Sequence, residues 1–205
     1  MCGPKIWCLP NYSTYKCILV FNFICITIPV SYTHLRISGA LPEISYLKKL
    51  LILFCNCNDL IVLPKLPDNL KELYCDNNVL TVLPELPDSL TKLHCNDNNL
   101  TVIPELPYSL TELHCNSNDC LTVLPKLPDS LIILNCSYNN IYNLPELPES
   151  LIILFCNNNS LTVLPELQYN LKELQCSGNN LNILPELPDK MCIRDRDYMH
   201  KALVL

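Results

Sequence analysis

Glycine is nearly absent from this chain, with only Gly3, Gly39 and Gly178 among 205 residues. Phosphate-cradling loops cluster glycines so that the backbone can approach the anion, so a nucleotide-binding loop of that kind is excluded. Arginine is equally scarce, and Arg36, Arg194 and Arg196 all lie outside residues 41–190. Within 41–190 there are 18 Asp and Glu against 8 Lys, a net charge of −10. Counterion release on a polyanion needs Lys and Arg in quantity, which argues against nucleic acid and against an anionic membrane surface as partners. No nucleophile elbow and no HExxH pair occurs, so the common signatures of hydrolases and zinc proteases are missing and no cofactor is expected. The apolar run CILVFNFICITIPV at 17–30 has 14 residues and is interrupted by Asn22. A membrane-spanning helix needs about 20.

What the chain does contain is repetition. The pattern LPxLPxxLxxLxCxxNxLxx recurs with a period of 20 or 21 residues from Leu63, Leu83, Ile103, Leu124, Leu144 and Leu164, with a looser copy from Leu41 and a partial eighth, LPELPDK, at 184–190. A unit this short cannot bury its own apolar face and must stack on copies of itself. The centre of each unit alternates apolar and polar, as in Leu73-Tyr74-Cys75-Asp76, which predicts one short parallel strand per repeat with one face buried. The two prolines of LPxLP, as in Pro64 and Pro67, block a helix and favour an extended path. The predicted fold is therefore a right-handed solenoid with a parallel β-sheet on its concave face and a thin, polyproline-like convex side with little helix.

The core LxxLxLxxNxL, carried here by Leu70, Leu73, Cys75, Asn78 and Leu80 and by the equivalent residues of later copies, resembles the leucine-rich repeat family. The short LPELPxSL form is similar to secreted bacterial effectors of the YopM/IpaH type and to repeat proteins of giant viruses. The resemblance covers about residues 41–190, and cysteine stands where the family usually has Leu or Val. It implies a leucine-rich repeat solenoid and a role in binding proteins. Neither the family's helical N-terminal cap nor the ligase domain of some effectors has a counterpart here.

Two columns follow the period. Cys55, Cys75, Cys95, Cys115, Cys136, Cys156 and Cys176 are read as small buried hydrophobes. Their regular spacing argues against a disulfide framework, and a stacked column does not make a tetrahedral metal cage. Three residues on, Asn58, Asn78, Asn98, Asn118, Asn139, Asn159 and Asn179 form a ladder. A side-chain amide turned inward can satisfy backbone groups left unpaired by the tight turn, so this column is structural. Cys57 and Cys120 lie outside the ladder, and Cys120, in the one-residue insertion NSNDCLTV, is the expected exposed thiol.

The outward strand positions carry the expected binding face. One concave column reads Phe54, Tyr74, His94, His114, Asn135, Phe155 and Gln175, and beside it run Ile52, Glu72, Lys92, Glu112, Ile133, Ile153 and Glu173. With Ile132, Ile152 and Tyr138, the fifth and sixth repeats should expose an apolar and aromatic patch, which marks an interaction surface. His94 and His114, with Glu112, are weighed as metal ligands and read instead as polar contacts, because a flat sheet offers no closed site. Adjacent imidazoles should also resist double protonation.

The flanks differ in composition. VSYTHLR at 30–36 and MCIRDR at 191–196 resemble translated sequencing adapter, so residues 1–36 and 191–205 are read as non-native, with 37–190 as the repeat domain. The alternative for the N-terminus is a signal-like segment, since Lys5 and Lys16 precede the apolar run. Sequons at Asn11, Asn99, Asn135 and Asn158 are expected by chance in a chain so rich in Asn. The many thiols suit a reducing cytosol, including that of a host cell, whereas a genuine signal would make the protein secreted. The expected function is a non-catalytic scaffold that binds a protein partner on its concave face, with the oligomeric state left open. Two alternatives stand beside it: the substrate-recognition part of a larger ligase-type effector, and a secreted or cell-surface recognition protein.

Overall fold

The structure, a computed structural model, describes residues 38–183 and 185, together with the backbone of strands at 18–21, 24–27 and 192–193. The partial eighth repeat beyond 185, the sequon at Asn11 and most of both flanks lie outside the described residues. Strands β1 (Ile18–Phe21) and β2 (Ile24–Thr27) precede β3 (Ser38–Ala40), β4 (Leu50–Phe54) and β5 (Asp59–Val62). One strand per repeat follows: β6 (Glu72–Tyr74), β7 (Lys92–His94), β8 (Glu112–His114), β9 (Ile133–Asn135), β10 (Ile153–Phe155) and β11 (Glu173–Gln175), then β12 (Cys192–Ile193). There is no helix among the described residues.

The chain winds as a solenoid because each strand pairs in parallel with its counterpart one repeat away. From β4 through β6 to β12 the sheet is parallel, and Leu53, Leu73, Leu93, Leu113, Leu134, Leu154 and Leu174 stand in one register row. That row and the cysteine row point into the core, as do Leu70 and Leu80 and their equivalents. Each three-residue strand thus buries its middle residue and leaves its two neighbours half-exposed on the other face.

The proline linker is compact as well as extended. Leu70 N donates to Pro67 O at 3.0 Å, and the same closure recurs at Leu90, Leu110, Leu131 and Leu151, while Gln168 replaces proline as acceptor for Leu171. Proline is tolerated there because the turn uses its carbonyl and not an N–H. A serine column ties each turn to the preceding coil: Ser89 Oγ donates to Asp68 O and Leu70 O, and Ser109 and Ser130 repeat the arrangement.

The residue before each ladder asparagine has a left-handed backbone. Cys57, Asn77, Asp97, Ser117, Tyr138 and Asn158 have φ between 51° and 57°, and Gly178 completes the column at 66°. Asn, Asp and Gly are the residues that tolerate this conformation best, which explains four of the seven. At Gly178 a Cβ would also fall 2.3 Å from Asn158 Oδ1.

Strands from outside the seven repeats flank both ends of the parallel run, so that among the described residues the sheet ends on β2 and β12. β1 pairs antiparallel with both β2 and β4, and β12 pairs with β11. A strand edge presents a row of unsatisfied N–H and C=O groups, and any extended segment alongside can take them up. β3, just before the looser first repeat, and β5 within it add a separate two-stranded parallel sheet.

Candidate functional site

Behind the concave face, each ladder asparagine joins two repeats. Nδ2 of Asn78, Asn98, Asn118, Asn139, Asn159 and Asn179 donates to the cysteine carbonyl of its own repeat and to that of the preceding one, at 2.8–3.2 Å. Asn58, in the first repeat, donates to Cys55 O. The side-chain carbonyls accept from Leu60, Leu80, Leu100, Ile141 and Leu161 N–H groups. Asn139 accepts from Asn118 N instead, because the insertion containing Cys120 displaces the usual donor. The cysteines beside them are buried, and burial pushes the thiols of Cys75, Cys95 and Cys115 well above their ordinary range and that of Cys136 up to about 12. Such thiols are poor nucleophiles. Cys120 is exposed.

On the concave side, half of the central column is a stack of rings. Phe54 and Tyr74 lie 4.6 Å apart between centroids, Tyr74 and His94 4.7 Å, and His94 and His114 4.3 Å. The parallel register sets this spacing, since equivalent residues on adjacent strands are about 4.8 Å apart. The rest of the column is amide and phenyl: Asn135 Nδ2 donates to Asn116 Oδ1, Gln175 Oε1 accepts from Asn157 Nδ2, and Phe155 stands between these amides.

The neighbouring column carries charge at one end and aliphatic surface at the other. Tyr74 donates its hydroxyl to Glu72 at 2.8 Å, and burial together with this bond raises its pKa well above the ordinary phenol. Lys92 Nζ meets Glu112 Oε1 at 2.8 Å, which raises the lysine pKa. His94 Nε2 lies 3.9 Å from Glu112 Oε2. Burial depresses the pKa of both His94 and His114, and His114 is depressed further by His94. Further along, Ile133 and Ile153 stand side by side in register, flanked by Ile132 at 37% exposure and Tyr138 at 58%. Tyr138 sits at the left-handed turn position beyond β9, at the margin of the patch.

A third column was not singled out in the sequence. Asp76 Oδ1 accepts from Asn96 N and Nδ2, Asn96 Oδ1 from Asn116 N, Ser137 Oγ from Asn157 N, and Asn157 Oδ1 from Ser177 N. Burial raises the pKa of Asp76, and the bonds it accepts from Asn96 oppose that rise. The available signal was a polar residue after every ladder cysteine, which periodicity alone does not separate from a solvated surface.

No protein-family model matches the chain, and no curated protein sequence matches it. Solved structures do. The leucine-rich repeat domain of a Shigella effector is 35% identical, the match covering 74% of this chain and 73% of that one, with a TM-score of 0.67. The chain belongs to the leucine-rich repeat family. This leucine-rich repeat protein is also similar to YopM from Yersinia pestis, at 32% identity over 76% of its length and a TM-score of 0.52. InlJ from Listeria monocytogenes, whose functional domain includes a cysteine ladder, is 31% identical over 67% of this chain with a TM-score of 0.51. Matches to those two longer proteins cover 56% and 36% of their chains. Among the described residues of this leucine-rich repeat protein, no helix is long and apolar enough to cross a membrane.

Proposed function

We propose that this protein is a non-catalytic scaffold that docks a protein partner on its concave sheet, working in a reducing cytosol. The observation that carries this reading is the pairing of Ile133 with Ile153 on adjacent strands, with Phe155 beside them, all partly exposed on a rigid surface. Apolar and aromatic side chains held on an unmoving scaffold lose little freedom on binding, which is how interface hot spots gain their strength. Phe54, Tyr74, His94, His114, Asn135, Tyr138 and Gln175 would provide the surrounding contacts.

The test is a photo-crosslinking amino acid placed at Phe155, and separately at the convex residue Val123. Capture of one partner from Phe155 alone, lost when Ile133 and Ile153 become Ser, is the expected result. Equal capture from both positions would overturn the proposal. Similarity to the Shigella effector domain supports a second reading, in which these repeats are the recognition arm of a larger effector. Under that reading the captured partner should also be modified by the full-length protein.

A further inference from the structure

We propose that His94, His114 and Glu112 form a binding site for a late first-row divalent cation, of which zinc is the reference case. Strands β7 and β8 set the two imidazoles in register and place Glu112 opposite Lys92. One ligand atom from each of the three residues lies within 4.8 Å of the others. A zinc ion bound at about 2.0–2.1 Å to nitrogen and about 2.0–2.2 Å to oxygen needs neighbouring donors about 3.4 Å apart. The two rings are stacked at 25°, and an imidazole nitrogen ligates in the plane of its ring, so binding requires His94 and His114 to turn about their side-chain torsions out of the stack and converge on one ion.

The decisive observation is an orphan. His94 Nε2 is buried and has no hydrogen-bond partner, and buried polar atoms are nearly always paired. Its nearest charged neighbour, Glu112 Oε2, is 3.9 Å away. A cation between the two would give the imidazole nitrogen its partner and use a carboxylate oxygen that Lys92 leaves open, since Lys92 holds Oε1. That lysine acts as an outer group fixing the carboxylate, as supporting residues do around metal ligands. The charged neighbours are Lys92, which opposes a cation, and Glu72, Glu112 and Asp76, which favour it.

The site is separate from the cysteine ladder. Cys75 and Cys95 donate their thiols to the backbone carbonyls of His94 and His114 from the core side of the sheet, while the imidazoles face the concave side. Flatness of the sheet argued against a closed cage. It equally leaves coordination positions open for water or for a side chain brought by a partner, and a three-ligand open site is a known zinc arrangement.

The experiment is a titration of the reduced full-length chain with cobalt(II) followed optically, and with zinc(II) followed by calorimetry. The expected result is one saturable site with visible d–d bands and no thiolate-to-cobalt charge transfer. Replacing His94→Gln or His114→Gln should weaken binding by at least about tenfold, and unchanged circular dichroism would show that the fold is kept. Glutamine is suitable because Gln175 already occupies this column. In nitrogen-15 spectra, zinc should shift the ring nitrogens of His94 and His114 and no other histidine. Thiolate charge transfer that persists in Cys120→Ser, equal affinity in the double glutamine variant, or no saturation below about 100 μM metal would each overturn the proposal.

Discussion

Asn98 spans two repeats with one side chain, its amide donating to Cys75 O and Cys95 O while its carbonyl accepts from Leu80 N. Asn98→Ala would leave the buried Leu80 N without its acceptor and would take from Cys75 O and Cys95 O one of the two amide donors each has, the others being Asn78 and Asn118, at a cost of about 1–3 kcal/mol, measurable as a lower urea midpoint with an unchanged slope. The histidines add a pH dependence. Burial depresses both from the ordinary value of 6.5, so the unfolded chain binds protons that the folded chain resists. Their contribution to stability is complete above that value and declines as the pH falls toward the depressed folded values. Asp76, raised from 3.8 by burial, works at lower pH with the opposite sign, since its contribution is lost as the pH rises through its folded value. Melting temperature should therefore drop between about pH 7.5 and 5, and the drop should shrink in a variant with glutamine at both histidines. The asparagine column was legible because seven copies align it. The left-handed column was not, because Cys57, Ser117 and Tyr138 mask the preference that Asn77, Asp97, Asn158 and Gly178 display.

Three residues make each strand from β6 to β11, and strands of that length survive because each pairs in register with the strand of the next repeat. The alternation Leu-x-Cys was enough to place the repeat strands β4 and β6 to β11 and to decide which of their side chains turn inward. It could not say what the outward residues do to one another. The ring stack from Phe54 to His114 and the polar chain from Asp76 depend on which residue stands 20 positions away, a cross-strand property that reading along the chain does not expose. The same geometry grades the thiols. Cys120 lies in an exposed turn whereas the ladder cysteines are sealed between leucines. A thiol reagent should label Cys120 quickly in the native protein and the ladder cysteines only after denaturant is added, with mass spectrometry of the digested chain as the readout. Rapid native labelling of Cys95 would show that the coils open locally.

At the scale of the whole molecule, the period determined the solenoid and left its ends undetermined. Repeats specify only their neighbours, and the first and last have one neighbour each. Pairing of β1 and β2 onto β4 came from outside the repeat pattern, in an apolar run read as non-native or, alternatively, as signal-like. Removing residues 1–27 should expose the β4 edge and produce concentration-dependent association in sedimentation velocity, since an unpaired strand edge templates further strands. A monomeric truncation would mean that the first coil protects itself. The asparagine ladder also has a mechanical side. Its bonds join each coil only to the next, so pulling the two ends apart loads the interfaces in series, and the weakest gives way first. Each yielding coil frees 20 or 21 residues, about 70 Å of slack at the extended length of the backbone. The molecule should lengthen under tension in equal steps, as a ratchet of nearly identical links.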